Sequence, residues 1–261
     1  MIGYLFDVEF MWGFEARIPG FSKSPPSHLF PPPTTILGAI SEPYAKRKNL
    51  SESKALEALK RLSQNLLSLC YRSINAIPVS FQDLNRVVAI GSRGGIKYPS
   101  AKYPYGSFDA PAVGKTTFSS IDNNPPTLRI MIVVDEMADV IEDDIWQVRR
   151  IGTKESLVSV VQVQKKTPEI VKGRIKTRFC FSKDSYTKIT KQGNFIEQYF
   201  IEPYKLSENP PKAYFDYPDL VKTFWIGLPL FEEYFAEIDL KPGYVGYKIG
   251  EETGVGIESR N

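Results

Sequence analysis

The sequence predicts an α+β fold of ferredoxin-like order, the architecture of an RNA-recognition domain, followed by a smaller β-rich part. Three observations predict it. Residues 2–10 carry an apolar side chain at every even position, with Asp7 and Glu9 on the opposite face. From there to residue 165 the pattern runs strand, helix, hairpin-like excursion, strand, helix, strand, a β-α-β-β-α-β series. After Lys165 helical periodicity gives way to cationic, alternating segments. In such a fold the helices cover one face of an antiparallel sheet and leave the other free. The expected division is residues 1–165 and residues 166–261.

Each element has its own signal. In "IGYLFDVEF", Ile2, Tyr4, Phe6, Val8 and Phe10 share one face and Asp7 and Glu9 the other, a half-buried strand. A Gly/Pro-containing loop leads into "FPPPTTILGAI", where Pro31, Pro32 and Pro33 hold the chain extended because each ring fixes φ and restricts its predecessor. Thr34 or Thr35 then caps a helix whose apolar face is Ile36, Leu37 and Ile40. Gly38 and Ala39 let that helix lie close on the sheet, which offsets the roughly 1 kcal/mol of helix propensity a glycine forfeits. Pro43 ends or kinks it. Leu56, Leu59, Leu62, Leu66 and Leu69 fall at helical spacing behind Ser51 as cap. Residues 86–126, rich in Gly, Pro, Tyr and Lys, read as a long hairpin or loop excursion, and loops of that length are usually functional or disordered. "PTLRIMIVVDEM" is a central strand. "ADVIEDDIWQVRRIG" is a helix with Val140, Ile141, Ile145 and Val148 on one face, Arg149 and Arg150 in its last turn, and Gly152 as its stop. "SLVSVVQVQ" is the next strand. Beyond it, "KGRIKTRFCF" sets Arg174, Lys176 and Arg178 against Ile175, Thr177 and Phe179. "KQGN" turns between two further strands, and a Gly-rich tail closes the chain.

Composition narrows the chemistry. With 261 residues, 42% of them hydrophobic, the chain can bury a sizeable core. Its charge of +3, from 33 cations against 30 acids, is too small to argue for nucleic acid by its sum, so distribution decides. The two cysteines, Cys70 and Cys180, lack metal-ligand spacing, and His28 is the single histidine. On these grounds neither a disulfide scaffold nor a zinc site is expected, and no metal or cofactor is expected. Asp7 and Glu9 interrupt the first apolar run and no basic leader precedes it, so no signal peptide is expected. No apolar run approaches a membrane span. The expected compartment is a reducing cytoplasm.

Cations cluster in three places. Lys165, Lys166, Lys172, Arg174, Lys176 and Arg178 face only Glu169 in sequence. They make either a phosphate-tracking groove or a solvated strand face that guards a sheet edge. Arg149 and Arg150 suit a helix C-terminus, or join Lys154 and the amides near Gly152 to hold phosphates. Arg93, Lys97 and Lys102 interleave with Tyr98, Tyr103 and Tyr105, which fits a single-stranded nucleic acid and nearly as well a protein contact. Catalytic inventory is poor: His28 sits in a Pro-rich loop with no oriented partner, and no catalytic residue is expected.

Three segments, Ile2 to Phe10, "FPPPTTILGAI" and "RRIGTKESLVSV", together resemble the fifth CRISPR-associated (Cas) protein family, the RAMP-type subunits of type I Cascade complexes. "RIGTKES" resembles the archaeal type I-A branch, and "GEETGVGIESR" is loosely similar to the glycine-rich loop of RAMP proteins. The resemblance implies a ferredoxin-like RAMP core with a thumb-like hairpin, which residues 86–126 would supply. It implies a non-catalytic subunit that holds the 5′ handle of the guide CRISPR RNA, docks on the backbone RAMP subunit among other Cascade subunits, and meets target DNA only indirectly. Phosphates would fall to Arg149, Arg150, Lys154, Arg174 and Lys176, with Arg178, Lys165, Lys166, Arg93 and Lys97 in support. Bases would fall to Tyr98, Tyr103 or Tyr105, and His28 and Phe30 would flank the site. In the type I-C branch the homologue cleaves precursor RNA with a Tyr, Lys and His set. This chain has no Lys-His pair, which argues against cleavage. The alternatives are a metal-independent endoribonuclease using His28, Tyr44 or Lys46, and a scaffold that binds only protein.

Overall fold

The computed structural model describes residues 1–18, 25–51, 54–84, 112–206, 218–230 and 233–258, with short ladder pieces at 87–88, 92–93, 96–97 and 108–109. A four-stranded sheet organises the N-terminal part. Strand β1 (Ile2–Phe10) is followed by helices α1 (Pro33–Arg47) and α2 (Ala55–Gln64), then β2 (Leu66–Ser73). A long hairpin, β3 (Ala76–Leu84) and β4 (Ala112–Ser120), precedes β5 (Thr127–Val134), the short helix α3 (Glu142–Trp146) and β6 (Val158–Lys166). The sheet order is β6-β1-β5-β2, with every neighbour antiparallel.

The proline ramp does start a helix, by a different device. Pro33 is the first helical residue and Pro32 precedes it with no side-chain cap, so Thr34 and Thr35 lie inside the first turn. A first-turn proline surrenders an N–H that would be unpaired anyway and brings a helical φ. The helix does not end at Pro43. It continues to Arg47, although Pro43 has no N–H to offer the Ala39 carbonyl, and Asn49 closes it at φ +52°. Leu66 and Leu69 belong to β2 rather than to α2. That strand is buried along nearly its whole length, so its apolar residues run on without alternation and extend the helical spacing by coincidence. The excursion is a hairpin, but its stem begins at Ala76 and returns at Ser120 through a nine-residue ladder.

The strands that follow include β7 (Glu169–Val171), β8 (Arg174–Thr177), β9 (Tyr186–Gln192), β10 (Asn194–Ile201), β11 (Val221–Leu228), β12 (Phe235–Leu240), β13 (Tyr244–Ile249) and β14 (Glu252–Ile257). They form small antiparallel sheets, among them β8-β12-β9 and β7-β13-β14. Gly193, at φ +84°, turns between β9 and β10, which then join different sheets.

The second face of the large sheet is not free, because the β13–β14 hairpin lies on it. A Cβ on Gly254 would fall 2.5 Å from Cys70 Sγ and 2.8 Å from Met131 Sδ, and one on Gly256 2.3 Å from the Leu67 carbonyl oxygen. The close approach expected of Gly38 is made by these tail glycines, whereas a Cβ on Gly38 would meet nothing within 4 Å. Coverage on both faces also buries β1 on both faces, with Leu5 at 5% and Asp7 at 7% exposure. One apolar core holds Tyr4 and Phe6 together with Phe179, Phe200 and Tyr247. Cys180 closes the outer edge of β2. Its N–H donates to the Tyr71 carbonyl at 2.7 Å, and its thiol accepts the Tyr71 N–H at 3.4 Å.

Candidate nucleic-acid interface

The alternation of β8 is real. Ile175 and Thr177 point inward while Arg174 and Lys176 face solvent. Register with β12 sets Arg174 opposite Asp239 and Lys176 opposite Glu237. Arg174 donates from Nε and Nη2 to the two Asp239 oxygens at 2.7 and 3.1 Å, and that guanidinium holds the Asp239 carboxyl below its ordinary range. The Lys176 ammonium sits 3.6 Å from the Phe235 ring centre, and Arg178 pairs with Glu233. Arg174, Lys176, Arg178 and Lys248 line one cleft of about 490 Å³ with Glu251, Glu252 and Thr253. Arg178 also borders a second cleft of about 280 Å³, shared with Arg72, Ile121 and Tyr234 near the root of the long hairpin.

Arg174 and Arg178 have acidic partners on neighbouring segments, and these are exposed pairs, which contribute little and exchange readily. Beneath them the pairing is tighter. Glu252 accepts from Arg72 at 2.6 Å and from Arg129 at 3.1 Å, and Arg129 forks onto Asp7 at 2.7 and 2.7 Å. Burial alone would raise the Glu252 pKa, but the two guanidiniums outweigh it and hold the group below its ordinary value.

The "RIGTKES" element is a pinned turn. Arg149 and Arg150 lie beyond α3, which ends at Trp146, so the helix-dipole account of them fails. Arg150 instead bridges to Leu157 in an extended pairing. Gly152 adopts φ +122°, and a Cβ there would lie 2.7 Å from the Glu15 carbonyl oxygen. The Thr153 N–H donates to that oxygen, the buried Ser156 hydroxyl accepts the Glu15 N–H at 3.0 Å, and Trp12 Nε1 donates to the Glu155 carbonyl at 2.7 Å. Arg150 Nη2 donates to both Glu42 oxygens at 3.0 and 2.9 Å. Lys46 and Arg150 together keep Glu42 below its ordinary pKa. Arg150 and Lys154 line a cleft of about 340 Å³ with Thr35, Gly38, Ala39, Glu42, Gly152 and Thr153. Arg149 is exposed.

The remaining candidates scatter. Lys165 and Lys166 are exposed at the end of β6, opposite Tyr4 and Gly3 of β1. Arg93 and Lys97 lie on a two-strand ladder in the hairpin, and their side chains fall outside the described residues, as do Tyr98, Lys102, Tyr103 and Tyr105. His28 is inside the protein at 3% exposure. Its ring packs 5.3 Å from that of Phe200, its N–H donates to the Ala16 carbonyl, and its carbonyl accepts from the Thr116 hydroxyl at 2.7 Å. Burial lowers its pKa to about 4, so the ring is neutral near pH 7. Tyr44 is buried, and Lys46 pairs with Glu42 at 2.7 Å. Sequence reasoning missed Lys248 and Thr253, whose only linear signal is their place in alternating strands, and Arg72, which lies near the end of the non-alternating β2 and carries no such signal. Among the described residues no three His, Cys, Asp or Glu side chains converge as metal ligands, and no helix is long and apolar enough to cross a membrane.

No family model matches the chain. Over 59% of its length it is 29% identical to "CRISPR-associated protein Cas5 2" of Saccharolobus solfataricus, and the match spans just over half, 57%, of that relative. Over 71% of its length it is 28% identical to "CRISPR system aCascade subunit Cas5 1" of the same organism, spanning 73% of it. A crystal structure of a CRISPR protein from Archaeoglobus fulgidus matches 98% of this chain and 100% of its own, with 30% identity and a TM-score of 0.73. With resemblance at the level of residues and of the whole fold, the chain belongs to the Cas5 family of CRISPR-associated proteins.

Proposed function

We propose that this chain is the guide-RNA-binding subunit of a type I Cascade of the archaeal I-A branch, and that it holds the 5′ handle of CRISPR RNA without cutting it. The four-stranded sheet is then the ferredoxin-like RAMP core. Its strand order, with helices in both crossovers and all neighbours antiparallel, supports that reading. Residues 1–165 form the RAMP domain with the long hairpin as thumb, and residues 166–261 the β-rich region. The observation that carries the proposal is the row of Arg174, Lys176 and Arg178, joined by Lys248 around one cleft. A phosphate chain displaces the exposed acidic partners and releases counterions, so binding weakens with salt. Arg149, Arg150 and Lys154 form a second phosphate contact, with Lys165 and Lys166 as flanking charge. The backbone subunit and other Cascade subunits dock around the RNA, and target DNA is met through the guide. The name of the aCascade relative supports membership of such a complex.

The lone histidine, buried and neutral, supports a non-cutting role, because general acid–base work requires reach to the RNA. Free Cys70 and Cys180 thiols support a reducing cytoplasm. The test is the assembled complex carrying Arg174→Ala, Lys176→Ala and Arg178→Ala. Affinity for handle-bearing RNA should fall and its salt dependence flatten; unchanged affinity overturns the assignment. Incubation of the purified chain with repeat RNA in EDTA should leave the RNA intact. Cleavage that is lost in His28→Ala overturns the non-catalytic reading.

A further inference from the structure

Gly38 stands in the interior of α1, where glycine is a poor helix former, and no packing constraint requires it, since a Cβ there would meet nothing within 4 Å. What the missing side chain keeps open is the 340 Å³ cleft between α1 and the turn around Gly152. That volume is at the small end of the range of about 300–1,000 Å³ for small-molecule sites, enough for one residue of a polymer and too little for a strand. The lining mixes hydrogen-bonding senses. Arg150 and Lys154 are cationic donors, Thr35 and Thr153 offer hydroxyls, and Glu42 is an acceptor. The bonds from Arg150 to Glu42 use Nη2 alone. The guanidinium is therefore held in place while the rest of its five-donor fork is left for a ligand.

We infer that this cleft receives one unstacked nucleotide of the bound RNA, with its phosphate on Arg150 and Lys154 and its ribose and base over Gly38. The inference rests on the RNA-binding reading above. Glu42 already accepts from Arg150 and Lys46, so the Lys154 ammonium and the free edge of the Arg150 guanidinium suit an anion, while Thr35 and Thr153 leave polar wall that a bare anion would not use. A nucleotide carries an anion at one end and hydroxyl or amino donors at the other, which is the combination the walls present. Recognition of splayed-out bases is the usual route by which proteins read single-stranded RNA.

The experiment measures binding of handle-bearing RNA by the assembled complex, with intact RNA and with a series carrying one abasic nucleotide each. Wild type is compared with Gly38→Leu, which fills the cleft. In wild type one abasic position should weaken binding about tenfold, the size of a lost base contact. Gly38→Leu should lose about tenfold with intact RNA and become indifferent to that position, while its Tm equals or exceeds wild type. The inference is overturned if Gly38→Leu binds intact RNA as wild type does, or if every abasic position weakens both proteins equally. Loss of subunit assembly in Gly38→Leu, with RNA binding by the purified chain retained, gives the cleft to a partner protein and overturns it too. Failure of wild type to bind RNA at all overturns the RNA reading itself, a distinguishable result.

Discussion

Arg129 and Arg174 make the same fork on a carboxylate and do different work. Arg129 grips Asp7 from β5 to β1 with both partners largely covered, at 24% and 10% side-chain exposure, and shares Glu252 of β14 with Arg72 of β2. Arg174 grips Asp239 across β8 and β12 at 71% and 28% exposure. Geometry is nearly equal, so burial separates them. The covered knot ties the C-terminal hairpin to the sheet, and its members cannot leave without stranding a charge. The exposed pair is screened and replaceable, which makes it the better surface for a polyanion.

The sharpest way to break this contrast is Arg129→Met. It strands Asp7 and takes from Glu252 one of its two guanidinium partners, and urea denaturation should show a loss of about 3–5 kcal/mol; a loss as small as that of a surface substitution would end the distinction. Next in size is the buried histidine. Its folded pKa of about 4 lies below the ordinary 6.5, so the unfolded chain binds more protons between those values. Stability is complete above pH 6.5 and declines as pH falls toward 4, by about 3 kcal/mol in all. His28→Gln should flatten denaturation midpoints in the upper part of that window, between about pH 5 and 6.5, before the depressed carboxylates such as Glu252 begin to lose their contribution. Third come two glycines with opposite signs. Gly254→Ala presses a methyl into Cys70 and Met131 and should cost about 1–3 kcal/mol, whereas Gly38→Ala should gain about 0.5–1 kcal/mol in thermal unfolding. The smallest effect on folding belongs to Arg174→Ala. Its Tm should match wild type, while the slope of log affinity for RNA against log salt falls by about one. A large drop in Tm would make the exposed pair structural.

Much of this architecture is visible in the chain because period-two alternation survives wherever one face of a strand is wet. β8 shows it, with Arg174 and Lys176 out and Ile175 and Thr177 in. Alternation fails as a guide where both faces are dry. Leu66 and Leu69 passed for helix because β2 lies between α-helices and a hairpin, and Asp7 looked solvent-facing because its partner Arg129 is distant in sequence. The tail glycines carried the missing information. Gly254 and Gly256 alternate with Thr253 and Val255, which is the spacing of a strand that presents a bare backbone to a neighbour, but a glycine-rich tail reads equally as a loop. Of the candidate site, the cations of β8 were legible from local spacing. Lys248 and Arg72 were not, since only the folded chain brings their strands to the two clefts that Arg178 borders. Of the two accounts the sequence allows for Arg150, the helix end fails, because the residue sits in a pinned turn beyond Trp146.

The bond between Cys180 and Tyr71 has a practical consequence. The outermost strand of the large sheet gets its lateral partner from beyond residue 165, and the same segment brings the hairpin that roofs the sheet. A fragment stopping at residue 165 would therefore present a naked strand margin beside a bare greasy plane, the arrangement that drives side-by-side polymerisation. Supplying residues 166–261 in trans should restore a soluble species, and gel filtration of the two halves, separate and mixed, reports whether it does.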